Sequence, residues 1–107
     1  MAELTVIRTD RGTKPWLVVA LVGEIDITTT PVLRVRLSHL SEAGHRHLVL
    51  DMAGVTFWDS AGMAAVVHAW KQLCEHTGML ILVCLGKAPA RAWQINGLNR
   101  LIPSYTG

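Results

Sequence analysis

Hydrophobic periodicity changes several times along this chain, and each change marks an element. Glu3-Leu4-Thr5-Val6-Ile7-Arg8 alternates polar and apolar residues for most of its length, the period of a half-buried strand. Asp10, Gly12 and Pro15 cluster between Thr9 and Pro15 and read as a turn. Trp16 to Gly23 is a longer apolar run, expected as a second strand paired antiparallel with the first. From Pro31 to Ala43 the period becomes helical, with Leu33, Leu37 and Leu40 on one face and Arg34, Ser38 and Ser41 off it. Thr29 or Thr30 is placed to cap that helix, Pro31 suits its first turn and Gly44 closes it.

Leu48 to Met52 is short and mostly apolar, as a central strand is. After Ser60 comes the clearest periodicity in the chain. Met63, Val66, Val67, Trp70, Leu73 and Cys74 form one continuous helical stripe, with Ala65, His68, Gln72, Glu75 and His76 expected mostly on the other side and Gly78 at the end. Met79 to Leu85 reads as another central strand, Pro89 to Asn96 as a short helix, and Leu101 to Tyr105 as a last strand. Strands alternating with helices imply a mostly parallel sheet, and the paired strands at the start make it mixed. The expected fold is therefore α/β, a mostly parallel sheet of about five strands with helices packed on it, in a single domain over residues 1–107.

Composition narrows the class. Half of the 107 residues are hydrophobic, enough for a globular core without disulfide or metal support. The net charge of +2 comes from scattered basic residues, so no nucleic-acid-binding face is expected. The apolar runs fall short of the roughly 20 residues that span a bilayer, and Trp16–Val22 leads into Gly23-Glu24-Ile25-Asp26 instead of a signal-cleavage site. Cys74 and Cys84 have no partner set for a zinc site or disulfide framework, and His45 and His47 have no carboxylate or thiol to complete a metal site. A cytoplasmic protein without cofactor is the expectation. Trp70 reads as core and Trp16 and Trp93 as packing residues, while Trp58 is either a loop anchor or an exposed interface aromatic.

The candidate chemistry lies in Trp58-Asp59-Ser60-Ala61-Gly62-Met63, where a strand hands over to the long helix. Ser60 at or near a helix start sits where free N–H groups and the helix dipole favour negative charge. On position alone it is a helix cap. A hydrolase elbow wants G-x-S-x-G, and Trp58 stands where the first glycine belongs. Neither a Walker-type loop nor G-x-G-x-x-G is present, so no enzymatic role is expected.

The element order, the Gly23-Glu24-Ile25-Asp26 turn and the Asp59-Ser60-Ala61-Gly62-Met63 segment resemble STAS domains, and among them the anti-anti-sigma factors, or anti-sigma factor antagonists. The resemblance covers nearly the whole chain. The family form of the second motif is D-S-S-G-L; here Met63 replaces the leucine and Ala61 the second serine, which leaves one hydroxyl, Ser60. The resemblance implies a partner switch. The unmodified protein binds an anti-sigma factor that is also a serine kinase and so frees a sigma factor; the kinase phosphorylates Ser60 and a serine phosphatase restores it. It assigns partner or kinase recognition to Asp26 and Asp59, and Thr28, Thr29, Trp58, Ala61, Gly62 and Met63 complete the candidate contact set; on local chemistry the threonines read first as helix caps, Asp59 as a turn or capping residue, Asp26 as a turn residue and Met63 as core. The family carries a further amphipathic helix after the last strand, whereas this sequence stops at Gly107: either it is truncated or this member lacks that cover, and without the helix a sheet face or helix flank is expected to be open to self-association. Other STAS roles, as scaffolds or as lipid- or small-ligand-binding subunits, need no phosphorylation and form the alternative.

Overall fold

The structure is a computed structural model that describes residues 4–9 and 16–106. Five strands, β1 (Leu4–Thr9), β2 (Trp16–Ile25), β3 (His47–Trp58), β4 (Met79–Leu85) and β5 (Ser104–Thr106), lie side by side in chain order. β1 runs antiparallel to β2, and every later pair is parallel. Each parallel step is bridged by a helix: α1 (Thr30–Glu42), α2 (Ser60–Glu75) and α3 (Lys87–Ile95), the last followed by a 3-10 turn over Leu98–Arg100. The mixed, mostly parallel α/β sheet expected from the sequence is the fold observed.

Because the strands advance in one direction, right-handed crossovers put all three helices on one face. Burial along the strands agrees. Leu17, Val19 and Leu21 of β2, Leu48, Leu50 and Met52 of β3, and Leu80 and Leu82 of β4 are buried beneath the helices. The residues between them form registered rows on the opposite face, Trp16–His47–Met79 and Val18–Val49–Ile81, and these are half-buried or exposed. The row Ala20–Asp51–Val83 is half-buried on the same side. Trp16 meets the His47 ring edge-on at 5.1 Å.

Several boundaries move from the sequence expectation. The turn between Thr9 and Pro15 lies outside the described residues except at Thr9, which ends β1. The central strand expected to stop at Met52 continues to Trp58, and β2 continues through Gly23 to Ile25. Gly23-Glu24, expected as part of a turn, and Ala53-Gly54 both lie inside strands instead. They sit at register shifts between β2 and β3, with Gly23 at φ 121°. A side chain at Gly54 would come within 2.9 Å of Val22 Cγ2, so glycine lets the two strands stay in contact through the irregularity. The final strand is shorter than expected, since Leu101 lies in a turn and β5 begins at Ser104.

α2 buries Met63, Val66 and Leu73 of its expected stripe but not the rest of it. Cys74 is exposed and Trp70 half-buried, while Ala65 and Ala69 face the core. Small side chains at these two positions let the helix axis approach the sheet closely. α2 is ended by Thr77, at φ 59°, and not by Gly78, while Gly44 ends α1 at φ 97° as expected. Gly78 has a different constraint, because a Cβ there would lie 2.2 Å from the Arg46 carbonyl oxygen.

Candidate functional site

β2 and β3 run parallel and end level, with Ile25 paired to Trp58. Their C-terminal ends deliver the chain into α1 and α2, so both helix starts converge at one edge of the sheet, where open α/β sheets place their sites. Asp59 lies between Trp58 and the first residue of α2 and is its N-cap. One carboxylate oxygen, Oδ1, accepts the Gly62 N–H at 2.9 Å, and the other, Oδ2, accepts the Ile27 N–H at 3.2 Å. The Asp59 N–H in turn donates to the Ile25 carbonyl at 3.1 Å. A single aspartate thus caps α2 and fastens the β2–α1 loop beside it.

That loop is organised by a second aspartate. Asp26 Oδ1 accepts the Thr28 hydroxyl at 2.6 Å, the Thr28 N–H at 2.9 Å and the Thr29 N–H at 3.2 Å. The Thr28 hydroxyl bond is the main cause holding the Asp26 carboxyl below its usual range, with the Thr28 and Thr29 amides adding to it and partial desolvation opposing them. Thr29 is the N-cap residue of α1, but its hydroxyl does not bond the helix. It donates back to the Glu24 carbonyl at 2.8 Å and accepts the Asp26 N–H at 2.9 Å, closing the turn.

Ser60 is the first residue of α2 and is exposed. Since Asp59 fills the capping position, the Ser60 hydroxyl is not the cap that its place in the sequence allowed. Ala61 beside it is half-buried. Thr28 is exposed and Asp26 and Asp59 are half-buried, in a loop that Asp59 ties to the start of α2 through Ile27.

Four of the residues assigned to partner contact lie inside. Trp58 is 3% exposed, its indole stacked on Trp93 at 4.9 Å and its Nε1–H donated to the Pro89 carbonyl at 3.0 Å. Of its two expected roles, the structure selects loop anchor over surface aromatic. Thr29 and Met63 are also buried. Gly62 is buried against the chain's own β2, where a Cβ would lie 2.6 Å from the Ile25 carbonyl oxygen and 2.7 Å from Ile25 Cγ2. These side chains set the position of the surface rather than forming it.

Two residues of this edge escaped the sequence reading. Ile27 is 74% exposed, an apolar side chain held outward beside Asp59. Its signal was a lone isoleucine among polar loop residues. Arg34 of α1 lines a groove of about 490 Å³ together with Ser60, and was noted only as lying off its helix's apolar stripe. Among the described residues, no cluster of His, Cys, Asp or Glu could hold a metal ion, and no helix is long and apolar enough to cross a membrane.

Comparison with known proteins gives this edge its context. Residues 5–106 match the STAS domain family. The anti-sigma-B factor antagonist of Bacillus subtilis is 34% identical over 84 residues, covering 78% of this chain and 76% of that protein. The crystal structure of an anti-sigma factor antagonist from Mycobacterium paratuberculosis superposes with a TM-score of 0.86 at 28% identity, over 98% of this chain and 87% of that one. The Bacillus cell fate determinant SpoIIAA in its phosphorylated form shares the fold, with a TM-score of 0.71 at 21% identity over 95% of this chain and 92% of that one. With the family match running almost end to end, this chain belongs to the STAS domain family, alongside relatives named anti-sigma factor antagonists.

Proposed function

We propose that this chain is a cytoplasmic anti-sigma factor antagonist that works by exchange of partners under control of Ser60. Unmodified, it binds an anti-sigma factor serine kinase and frees a sigma factor; phosphorylated on Ser60, it lets the kinase go until a serine phosphatase removes the phosphate. Its role is binding, with catalysis supplied by the partners. The γ-phosphoryl group of the kinase's ATP passes to Ser60 Oγ, which loses its proton, and ADP leaves.

The observation that carries this reading is the exposed hydroxyl of Ser60 at the first position of α2, with the neighbouring Asp59 carboxylate already occupied by backbone N–H groups. The hydroxyl is accessible to a kinase, and the helix start tolerates the new charge. A phosphate there adds about −1.5 to −2 charges beside Asp59 and Asp26. Like charges brought together across an interface cost roughly several kcal/mol, enough to dismiss a partner without refolding either protein. Direct contact falls to Asp26, Ile27, Thr28, Asp59, Ser60 and Ala61, with Thr29, Trp58, Gly62 and Met63 holding them in place. A lipid- or small-ligand-binding role calls for an enclosed apolar cavity, whereas the groove beside Ser60 is open and lined by cationic and polar as well as apolar side chains.

The test is incubation with anti-sigma factor serine kinases and ATP, followed by intact-mass measurement and site mapping. One phosphate on Ser60, absent from Ser60→Ala, together with loss of kinase binding in Ser60→Asp, is expected. Unmodified wild-type protein, or equal labelling of Ser60→Ala, would falsify the phosphoswitch. Undiminished binding of the phosphorylated form would remove the release step.

A further inference from the structure

The groove that begins at Ser60 follows the outward side of α2 past Ala64 and His68 to Lys71, and α1 supplies its opposite wall through Arg34. Met63, Val67 and Leu98 contribute apolar lining, and among the described residues none that lines it is acidic. The helices that form it leave the ends of neighbouring parallel strands, so they start at the same edge of the sheet. Arg34 is four residues into α1, about 6 Å below the helix start at a rise of 1.5 Å per residue. Ala64, one turn below Ser60 on α2, lines the same groove as Arg34, so an arginine side chain and a phosphoserine there extend into one shared space. Lys71 lies eleven residues from Ser60 on the same helix, about 16 Å away along the axis. It is out of reach.

We propose that the Arg34 guanidinium is the internal counter-ion for a phosphate carried on Ser60, pairing with it across the groove between α1 and α2. This rests on the reading of Ser60 as the phosphoacceptor and adds the residue that receives the modified side chain. The chemistry is suited to it. A guanidinium offers planar paired N–H donors that match two phosphate oxygens, and no carboxylate in the groove competes for it. Modification then has two effects on a docking partner: it adds anionic charge at the rim, and it withdraws a cation that a carboxylate of the partner would otherwise meet.

The test places phosphoserine at position 60 by genetic encoding, so that it succeeds or fails whether or not a kinase is ever found. The second ionisation of the phosphate is followed by 31P NMR in the wild-type background and in Arg34→Ala, Arg34→Lys and Lys71→Ala. The start of α2 lowers this ionisation and Asp59 and Asp26 raise it, but both influences are common to every variant, and His68 and Lys71 lie further down the groove. The difference between wild type and Arg34→Ala therefore isolates Arg34. The midpoint is expected to rise by roughly half a pH unit in Arg34→Ala, the size of an exposed ion pair. Arg34→Lys keeps part of the effect and Lys71→Ala stays close to wild type. Unphosphorylated Arg34→Ala melts at the wild-type temperature, which separates pairing from a structural role. The same midpoint in wild type and Arg34→Ala, or an equal rise in Lys71→Ala, overturns the pairing.

Discussion

The Asp59 carboxylate reaches back 32 positions to accept the N–H of Ile27 while its other oxygen caps α2 at Gly62. The loop after β2 and the helix after β3 are thereby fixed to each other through one side chain, and both surfaces around Ser60 move as a unit. Asp59→Ala removes both bonds. It is expected to cost about 1–2 kcal/mol of stability, the range for a lost N-cap. Hydrogen exchange at the Ile27 and Gly62 amides should accelerate beyond that of the β3 core amides. Urea unfolding and amide exchange measure the two effects, and unchanged exchange at Ile27 would show that the loop does not depend on the tether.

Gly62 is fixed by its contact with Ile25 more than by any helical preference. An alanine usually stabilises a helix relative to glycine by roughly 1 kcal/mol. Here the added methyl would sit 2.6 Å from a backbone oxygen, which cannot rotate away as a side chain could. Gly62→Ala is therefore expected to be net destabilising by about 1–3 kcal/mol, the range for overpacking. A melting temperature at or above wild type contradicts the packing argument.

Asp26 supplies a prediction in acid. Its carboxyl is held below the ordinary 3.8, chiefly by the Thr28 hydroxyl. The bonds it accepts favour the ionised form, so their contribution is complete above that ordinary value and disappears as pH falls through the lowered one. The side-chain carboxyl 13C shift should titrate with a midpoint below 3.8. The Thr28 amide resonance should follow the same curve, and that transition should vanish in Asp26→Asn. A midpoint at or above the ordinary value removes the network as its cause.

Trp58 and Trp93 share one stack but differ in their polar ends. The Trp58 indole N–H reaches the Pro89 carbonyl at 3.0 Å, while the Trp93 indole N–H is buried with no partner among the described residues. Phenylalanine keeps most of the ring contact at either site. Trp58→Phe also loses a buried hydrogen bond and should be the more damaging change by about 1 kcal/mol. Trp93→Phe deletes an unsatisfied donor, which offsets part of its lost packing. Chemical denaturation of the two variants decides the order.

The handover from strand to helix at Ser60 was legible because an apolar run met a helical stripe there, and Asp59 and Asp26 were legible as loop carboxylates. Which residue caps α2 was not, since adjacent Asp and Ser have the same local preference and only the folded geometry, with Asp59 Oδ1 on the Gly62 N–H, separates them. The length of β3 was hidden by Ala53-Gly54, a pair typical of turns that here serves a strand irregularity. The inward face of α2 was misread around Ala65 and Ala69 because close approach selects small side chains that hydrophobic patterning ranks low. Trp58 was ambiguous because the ring that buries it belongs to a helix far along the chain.

Both oxygens of Asp59 are engaged with backbone amides on either side of Ser60, so the ground on which a phosphate would land is already braced. On the proposed switch, a signal written there would travel as electrostatic potential, without a displacement that must propagate. A switch of this kind has no relaxation time of its own. Its response is set by how fast kinase and phosphatase act and how fast partners meet and part, and it tolerates change elsewhere in the domain as long as that brace holds.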